Sequence, residues 1–415
     1  MQHGLGELAR VFGRIGVLSF GGPAAQIALM HRELVEERPW LTEAQYLRAL
    51  SFCMLLPGPE AMQLATYAGW RLRGVPGGLI AGGLFVLPGA LVIAALALAY
   101  GAFADLPLVQ AGFLGIKATV VVIVIQAIGR LSAKALGAPG AKALAVLSFL
   151  ALFLVNLPFP LVIALAATWG ALRHSGPAPA GGQRADLRRS LRPLVIGGAL
   201  WAAPLVLAAL AGADLLLALG LFFSKLAVVT FGGAYAVLAY MTQEVVTAQG
   251  WVSAGQMLDA LGLAETTPGP LILVTEFVGI TAGLNAGGAG LGLLAGVMTL
   301  WVTFVPCYIW IFAGAPLIDW LEHRPRISAA LSAITAAVVG VITNLSVWFA
   351  VHVLFASVDR FQAGPLHLIL PDWASFQPAA LALVLLAAAL LLWRKWPLLQ
   401  GLGTVTLAGV LIGLL

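Results

Sequence analysis

Two short motifs, each present twice, combine residues that break a helix with residues that leave amides free. The first is Ser19-Phe20-Gly21-Gly22-Pro23, matched by Thr230-Phe231-Gly232-Gly233-Ala234. The second is Pro57-Gly58-Pro59, matched by Pro268-Gly269-Pro270. Proline removes a donor and clashes with the preceding turn, and glycine takes dihedrals closed to other residues. A helix that starts after Gly22 or Gly58 points unpaired N–H groups and its positive dipole end into the gap. The chemistry this suits is anion binding. A plain kink is the alternative for either motif alone; two different breaks, both duplicated, favour a site.

The ionisable residues nearby are of matching type. Arg14 and Lys225 precede the two Phe-Gly-Gly motifs, and Lys117 lies deep in the apolar run Gly115–Ile128. A charge at the bilayer centre costs about 2.5–3.5 kcal/mol on insertion scales, so it needs a partner or a water-filled cavity. Arg14 is equally read as snorkelling to the interface. Glu60 follows the first Pro-Gly-Pro, Glu265 precedes the second, and Glu276 sits in the next apolar stretch. Carboxylates at that depth either carry a coupling proton, the role assigned here to Glu60 or Glu265, or pair with Lys225 or Lys117. Ser19, Thr230, Gln63, Thr266 and Thr267 either donate to oxyanion oxygens or cap helices. Cys53 and Cys307 stand alone in apolar runs and define neither a disulfide framework nor a metal motif. No cofactor is expected.

These residues must be positioned by membrane helices. Of 415 residues 61% are hydrophobic and 9% charged, against roughly 25% charged in soluble proteins. Such a chain cannot cover a water-soluble globule, and its unbroken apolar runs do not alternate as a barrel would. An all-α polytopic membrane protein remains. At about 20 residues per span, hydropathy places spans near 11–30, 46–70, 77–99, 108–130, 143–156 and 160–172. A second set lies near 193–212, 215–241, 256–281, 291–313, 328–350, 378–393 and 398–415, giving thirteen in all. The polar stretch 173–192, with Arg184, Arg188, Arg189 and Arg192 against Asp186, separates a repeat at 1–172 from one at 193–415. It reads as a cytoplasmic linker rather than a nucleic-acid patch. Arg71, Arg73, Arg130, Lys134, Lys142, Arg324, Arg326, Arg394 and Lys395 fall on the linker's side. That puts the N-terminus in the cytoplasm and the C-terminus outside, in an inner membrane. Met1–Arg14 does not read as a signal peptide.

The halves repeat one another. An offset of 211 aligns Phe20–Glu60 with Phe231–Leu271 without a gap, and sixteen of the 41 positions are identical. The identities include Met30, Glu33, Trp40, Gln45 and the whole Pro-Gly-Pro, which apolar bias does not supply. An offset of 218 then pairs Pro88 with Pro306 and Ile116-Lys117-Ala118 with Ile334-Thr335-Ala336. The extra span at 193–212 reverses the second copy in the membrane. Inverted repeats with discontinuous or re-entrant helices are a secondary-transporter architecture, with substrate held near the midplane. Gly78/Gly82 and Gly292/Gly296 read as packing faces.

The set Phe20-Gly21-Gly22-Pro23, Met30, Trp40 and Leu56-Pro57-Gly58-Pro59, repeated as Phe231-Gly232-Gly233, Met241, Trp251 and Thr267-Pro268-Gly269-Pro270, resembles the chromate ion transporter family in its long, fused two-domain form. The resemblance implies export of chromate from the bacterial cytoplasm, driven by the proton motive force, with sulfate as a related oxyanion. It also implies that the motif positions, with Arg14, Lys225 and Lys117, form the substrate path. Ala234 departs from the proline at Pro23, so the halves need not contribute equally. On this reading the dianion sits between facing helix ends, and Glu60 or Glu265 takes a proton outside and releases it inside. An enzyme is disfavoured, since no Walker loop or HExxH motif occurs. A sulfate importer or exchanger and an anion channel stay open, as does a homodimer.

Overall fold

Glycine and proline cut the apolar runs into more and shorter helices than hydropathy alone gives. The computed structural model describes residues 4–173, 187–231, 234–315, 324–364 and 366–414. Its helices are α1 (Leu5–Leu18), α2 (Gly22–His31), α3 (Glu43–Cys53), α4 (Glu60–Phe103), α5 (Pro107–Ala135), α6 (Ala141–Val155), α7 (Phe159–Arg173) and α8 (Leu187–Leu210). There follow α9 (Asp214–Val229), α10 (Ala234–Thr242), α11 (Ala254–Thr266), α12 (Val274–Gly287), α13 (Ala289–Gly314), α14 (Pro325–Leu354), α15 (Pro378–Ala388) and α16 (Leu398–Gly413). The expected linker lies mostly at 174–186, outside the described residues.

Among the described residues, five stretches are long and apolar enough to cross a membrane: Glu60–Phe103, Pro107–Ala135, Ser190–Leu210, Ala289–Gly314 and Pro325–Leu354. Several expected spans are instead broken pieces. The run at 11–30 is α1 and α2 around Ser19–Gly21; that at 256–281 is α11, a 3₁₀ turn at Leu271–Leu273 and α12. Conversely, 77–99 continues from the preceding arm, and the break in α4 is confined to Arg73 and Gly74 (φ +63°). Hydropathy averages over windows longer than these breaks. It also missed a hairpin of β1 (Val358–Ala363) and β2 (Leu366–Pro371), paired antiparallel with Val358 opposite Pro371.

The chain forms two compact units, each drawing on both sequence halves. The first comprises residues 1–98, 175–234 and 264–328. Within it, glycines let helices touch. Gly283 of α12 lies against the Gly292 backbone of α13, and a side chain at Gly78 or Gly82 would run into Phe312 or Tyr308. Two indoles tie α8 to α13: Trp201 donates to the Val302 carbonyl at 3.0 Å and Trp301 to that of Leu200 at 2.8 Å. An indole N–H in an apolar setting needs such an acceptor. The second unit comprises 99–174, 235–263 and 329–415. There α5 packs on α15, the π-helical turn Ala389–Trp393 that follows it, and α16 through Ala118, Val122, Ile123, Leu383, Ala387, Leu391 and Val405.

The repeat is also visible in backbone geometry. Thr42 and Gln45 form a capping box at the start of α3, and Ser253 and Gln256 form its counterpart at α11. Each satisfies amides that have no intrahelical partner. A π-helical turn occurs at Arg32–Glu36 and again at Gln243–Ala248. After each turn the chain bends back, Trp40 N–H donating to the Leu34 carbonyl and Trp251 N–H to that of Val245. The repeated Glu33 has a concrete task in the first half. It is fully buried and pairs with Arg38 and, at 3.6 Å, with Arg14.

At the end of α2, beyond the apolar run, His31 Nε2 lies 2.6 Å from Glu43 and Nδ1 lies 3.0 Å from Glu36. The hydrogen bond to Glu43 holds the imidazole above its ordinary 6.5, outweighing the opposing effect of partial burial. The clamp therefore contributes fully below about pH 6.5 and is lost as pH rises through the raised value. A nuclear magnetic resonance titration of His31 should give a midpoint above 6.5, and Glu43→Gln should bring it back down.

Candidate functional site: a crossing of broken helices

The two breaks of each half meet those of the other half within the first unit. Gly58 N–H donates to the Thr230 carbonyl at 3.0 Å, and Gly269 N–H donates to the Ser19 carbonyl at 2.9 Å. Since Gly58 is equivalent to Gly269 and Ser19 to Thr230, these are one interaction made twice, the reciprocity a two-fold axis generates. Gly58 has φ +112° and Gly269 φ +90°, a region closed to most side chains. The neighbours are reciprocal as well. A side chain at Gly58 would meet Cys307 Sγ, and one at Gly269 would meet Leu273 and Gly89, the position equivalent to Cys307.

Helix ends converge on this crossing. Gly21 (φ +86°) turns the chain so that α2 begins at Gly22, with Pro23 in its first turn and no side chain capping it. α4 begins at Glu60 beside Pro59. A narrow cavity of about 20 Å³, partly open, is lined by Pro23, Gln26, Gly58, Pro59, Glu60, Ala61, Pro270, Leu271 and Ile272. First-turn amides of a helix have no intrahelical acceptor, so this space faces two positive helix ends. A smaller cavity of about 10 Å³ adjoins it through Gly58, Pro59 and Ile272 and is also lined by Leu226, Ala227, Thr230 and Thr303.

Gln26 lines the larger space, and Gln63 lies beside Gly58. Gln26 Nε2 donates to the Gly269 carbonyl at 2.6 Å and, more weakly, to that of Ser19 at 3.3 Å. Gln63 Nε2 donates to the Pro57 carbonyl at 2.7 Å. The amide oxygens of Gln26 and Gln63 and the hydroxyl of Thr303 are buried and have no hydrogen-bond partner among the described residues. The Thr303 hydroxyl can donate to water or ligand, whereas the two amide oxygens only accept and so suit water rather than an oxyanion.

The anticipated residues divide. Pro57, Gly58, Gly269, Thr230 and Glu60 are at the crossing, with Pro268 and Gly21 beside it. Gly232 and Gly233 lie outside the described residues. The hydroxyls of Ser19, Thr230 and Thr267 donate to the carbonyls of Ile15, Leu226 and Ala264, so in this conformation their protons face helix backbone. Arg14 pairs with Glu33, and neither Arg14 nor Lys225, both exposed, lines either space. Glu265 is buried at the end of α11, and Glu276 is buried in α12 with Oε2 lacking a partner among the described residues. Lys117 belongs to the second unit, where its Nζ lies 3.3 Å from buried Asp259. Sequence reasoning missed Gln26, Thr303 and Asp259. For Asp259 a signal existed, a lone carboxylate in a largely apolar stretch complementing the lone Lys117.

A duplicated broken-helix unit, crossed on itself at its helix starts, is the architecture of a multi-pass membrane transport protein. The chromate transporter family matches the chain over residues 6–171 and 217–414. A probable chromate transport protein of Synechococcus elongatus is 32% identical over 404 residues, covering 95% of this chain and 97% of the relative. The chromate transport protein of Cupriavidus metallidurans is 33% identical, covering 82% and 81%. That of Pseudomonas aeruginosa is 31% identical, covering 94% and 92%. No solved structure matches. The chain belongs to the chromate transporter family.

Proposed function

We propose that the protein exports chromate, a tetrahedral dianion, from the cytoplasm at the expense of the proton motive force. The observation that carries this is the space at the α2 and α4 starts, where first-turn amides lack intrahelical acceptors and where the lining, among the described residues, includes no lysine or arginine. Amide dipoles suit a cargo that must also leave, because they stabilise negative charge without a permanent ion pair. The names of the relatives supply chromate as the cargo; sulfate has the same shape and charge.

The two equivalent breaks differ in exposure, and this supports alternating access. Leu55–Glu60 is half-buried, whereas Thr267–Gly283 is buried throughout. Exchange of these environments would present the anion to opposite faces. Glu60 lines the anion space, where an ionised carboxylate repels a dianion and a protonated one does not. Glu265, the other candidate, is buried just before the second Pro-Gly-Pro and is not the counterpart of Glu60. The basic loops put the N-terminus in the cytoplasm and the C-terminus outside.

Chromate and sulfate flux into proteoliposomes, with and without an imposed proton motive force, tests the reading. Saturable chromate flux that collapses with an uncoupler is expected. Linear, uncoupler-insensitive conductance would identify a channel instead, and flux of sulfate alone would replace the cargo.

A further inference from the structure

The second unit carries a long apolar groove of about 740 Å³ between α6 and α7. Leu144, Leu147 and Ala151 wall it on one side, Leu165 and Trp169 on the other. Glycines explain why it stays open. Gly340 of α14 lies against the α6 backbone at Ala145 and Phe149, and Gly170 of α7 lies against α14 at Ala329 and Ala333. Both helices thus close on α14, and Leu147, Leu165 and Leu172 are left exposed. One end of the groove differs in kind. Among the described residues, Arg173 is the one charged member of the lining, and its guanidinium carbon lies 4.8 Å from the centre of the Trp169 ring. The same two residues border a second cavity, of about 330 Å³, beside α14. Arg173 also reaches the start of α6, since a side chain at Gly140 would meet its Nη1 at 2.9 Å. There Gly140 holds φ +82°, and no side chain caps the first turn. Arg173 makes no ion pair with a carboxylate among the described residues.

We propose that this groove holds one acyl chain of an anionic glycerophospholipid, with the lipid's phosphate between Arg173 and the first turn of α6. The length agrees. From Gly140 to Ala151 the helix rises roughly 16 Å, and one leaflet of a bilayer's hydrocarbon core is about 15 Å deep. A chain entering at Arg173 therefore meets an apolar wall through the depth of its own leaflet. The charge agrees as well. A guanidinium binds phosphate oxygens through paired N–H groups, and an uncapped helix start adds amide donors and its positive dipole end. Lys142, exposed in the first turn of α6, adds a second positive charge. Trp169 supplies the indole that suits headgroup depth. A zwitterionic headgroup would bring its own cation to Arg173 and Lys142, so a lipid of net negative charge is selected. A second protein chain could cover the leucines, but an apolar helix would leave Arg173 unmatched. The groove shares no lining residue with the crossing, and its role does not depend on which anion is carried.

Native mass spectrometry of the full chain in detergent, titrated with phosphatidylglycerol or with phosphatidylcholine of the same acyl chains, tests the assignment. The wild-type protein should prefer phosphatidylglycerol roughly tenfold or more, the order expected of two cations at a membrane surface. Arg173→Gln should cut that preference about fivefold, and Arg173→Lys should keep most of it. Arg173 is the exposed last residue of α7, so its replacement leaves the core intact. Leu165→Trp, which fills the groove from an exposed position, should weaken both lipids. Soluble glycerol phosphate should not displace the lipid, because it has no chain to bury. Equal affinity for the two lipids in the wild type, or an undiminished preference in Arg173→Gln, would overturn the proposal. So would unchanged lipid binding in Leu165→Trp, or displacement by glycerol phosphate, which would make the site one for free phosphate. A dimer that Leu165→Trp dissociates, with no lipid preference in the wild type, would give the groove to a second copy of the chain and overturn it too.

Discussion

Gly269→Val and Gly58→Val should each reduce chromate flux tenfold or more, and both should do so although neither glycine carries a functional group. Gly269 holds φ +90° and Gly58 φ +112°, where a side chain costs roughly 1–2 kcal/mol. At Gly269 the added carbon would also sit 2.9 Å from Leu273 and 3.4 Å from the Gly89 backbone, and at Gly58 it would sit 3.1 Å from both Cys307 and Gln63. Overpacking of this kind adds about 1–3 kcal/mol. Relief requires moving the amide that donates across to Ser19 or Thr230, which displaces the helix start behind it. Alanine at either place should give an intermediate loss. Flux assays of purified, monodisperse protein check the result. Wild-type flux in Gly269→Val would show that the crossing does not shape the transport path.

Lys117→Ala is expected to be among the most destabilising single changes in the second unit. Removing one partner of a buried ion pair costs about 3–5 kcal/mol because the other charge is stranded, and here the stranded group is Asp259, 4% exposed. The loss should show as a lowered thermal midpoint in detergent and should shrink at acid pH, where a proton can replace the lysine. The charge-free double variant Lys117→Met with Asp259→Leu should recover most of the stability. If Lys117→Ala melts like the wild type at neutral pH, the pair contributes nothing to the fold. The pairing also means that Lys117→Ala alone cannot isolate a role in anion binding.

The duplication was legible because the identities fall on residues with backbone tasks. Gly58 and Gly269 hold positive φ and donate across the crossing; Gln45 and Gln256 close capping boxes; the segments holding Trp40 and Trp251 follow π-helical turns. Such tasks tolerate few substitutes, so the residues recur. The broken helix starts were legible for the same reason, since Pro57-Gly58-Pro59 and Gly21-Gly22-Pro23 cannot continue a helix. Partners far apart in sequence were not legible. Gln26 was passed over because its counterpart Val237 is apolar, and Asp259 because its counterpart is Arg48. Thr303 looked like one more hydroxyl in an apolar helix until Gly58 and Thr230 were found beside it. The thirteen-span reading blurred where short breaks sit inside long apolar runs, as at Ser19–Gly21. It passed over β1 and β2 because a six-residue strand leaves no mark on a window of helical length.

The decisive measurement is the position of a bound tetrahedral dianion in the intact protein. Selenate, located by its anomalous scattering in a crystal of the detergent-solubilised protein, should occupy the space between Pro23, Gln26, Glu60 and Ala61, within hydrogen-bond reach of first-turn amides of α2 or α4. A selenate peak at surface arginines and lysines, with that space holding only water, would contradict it.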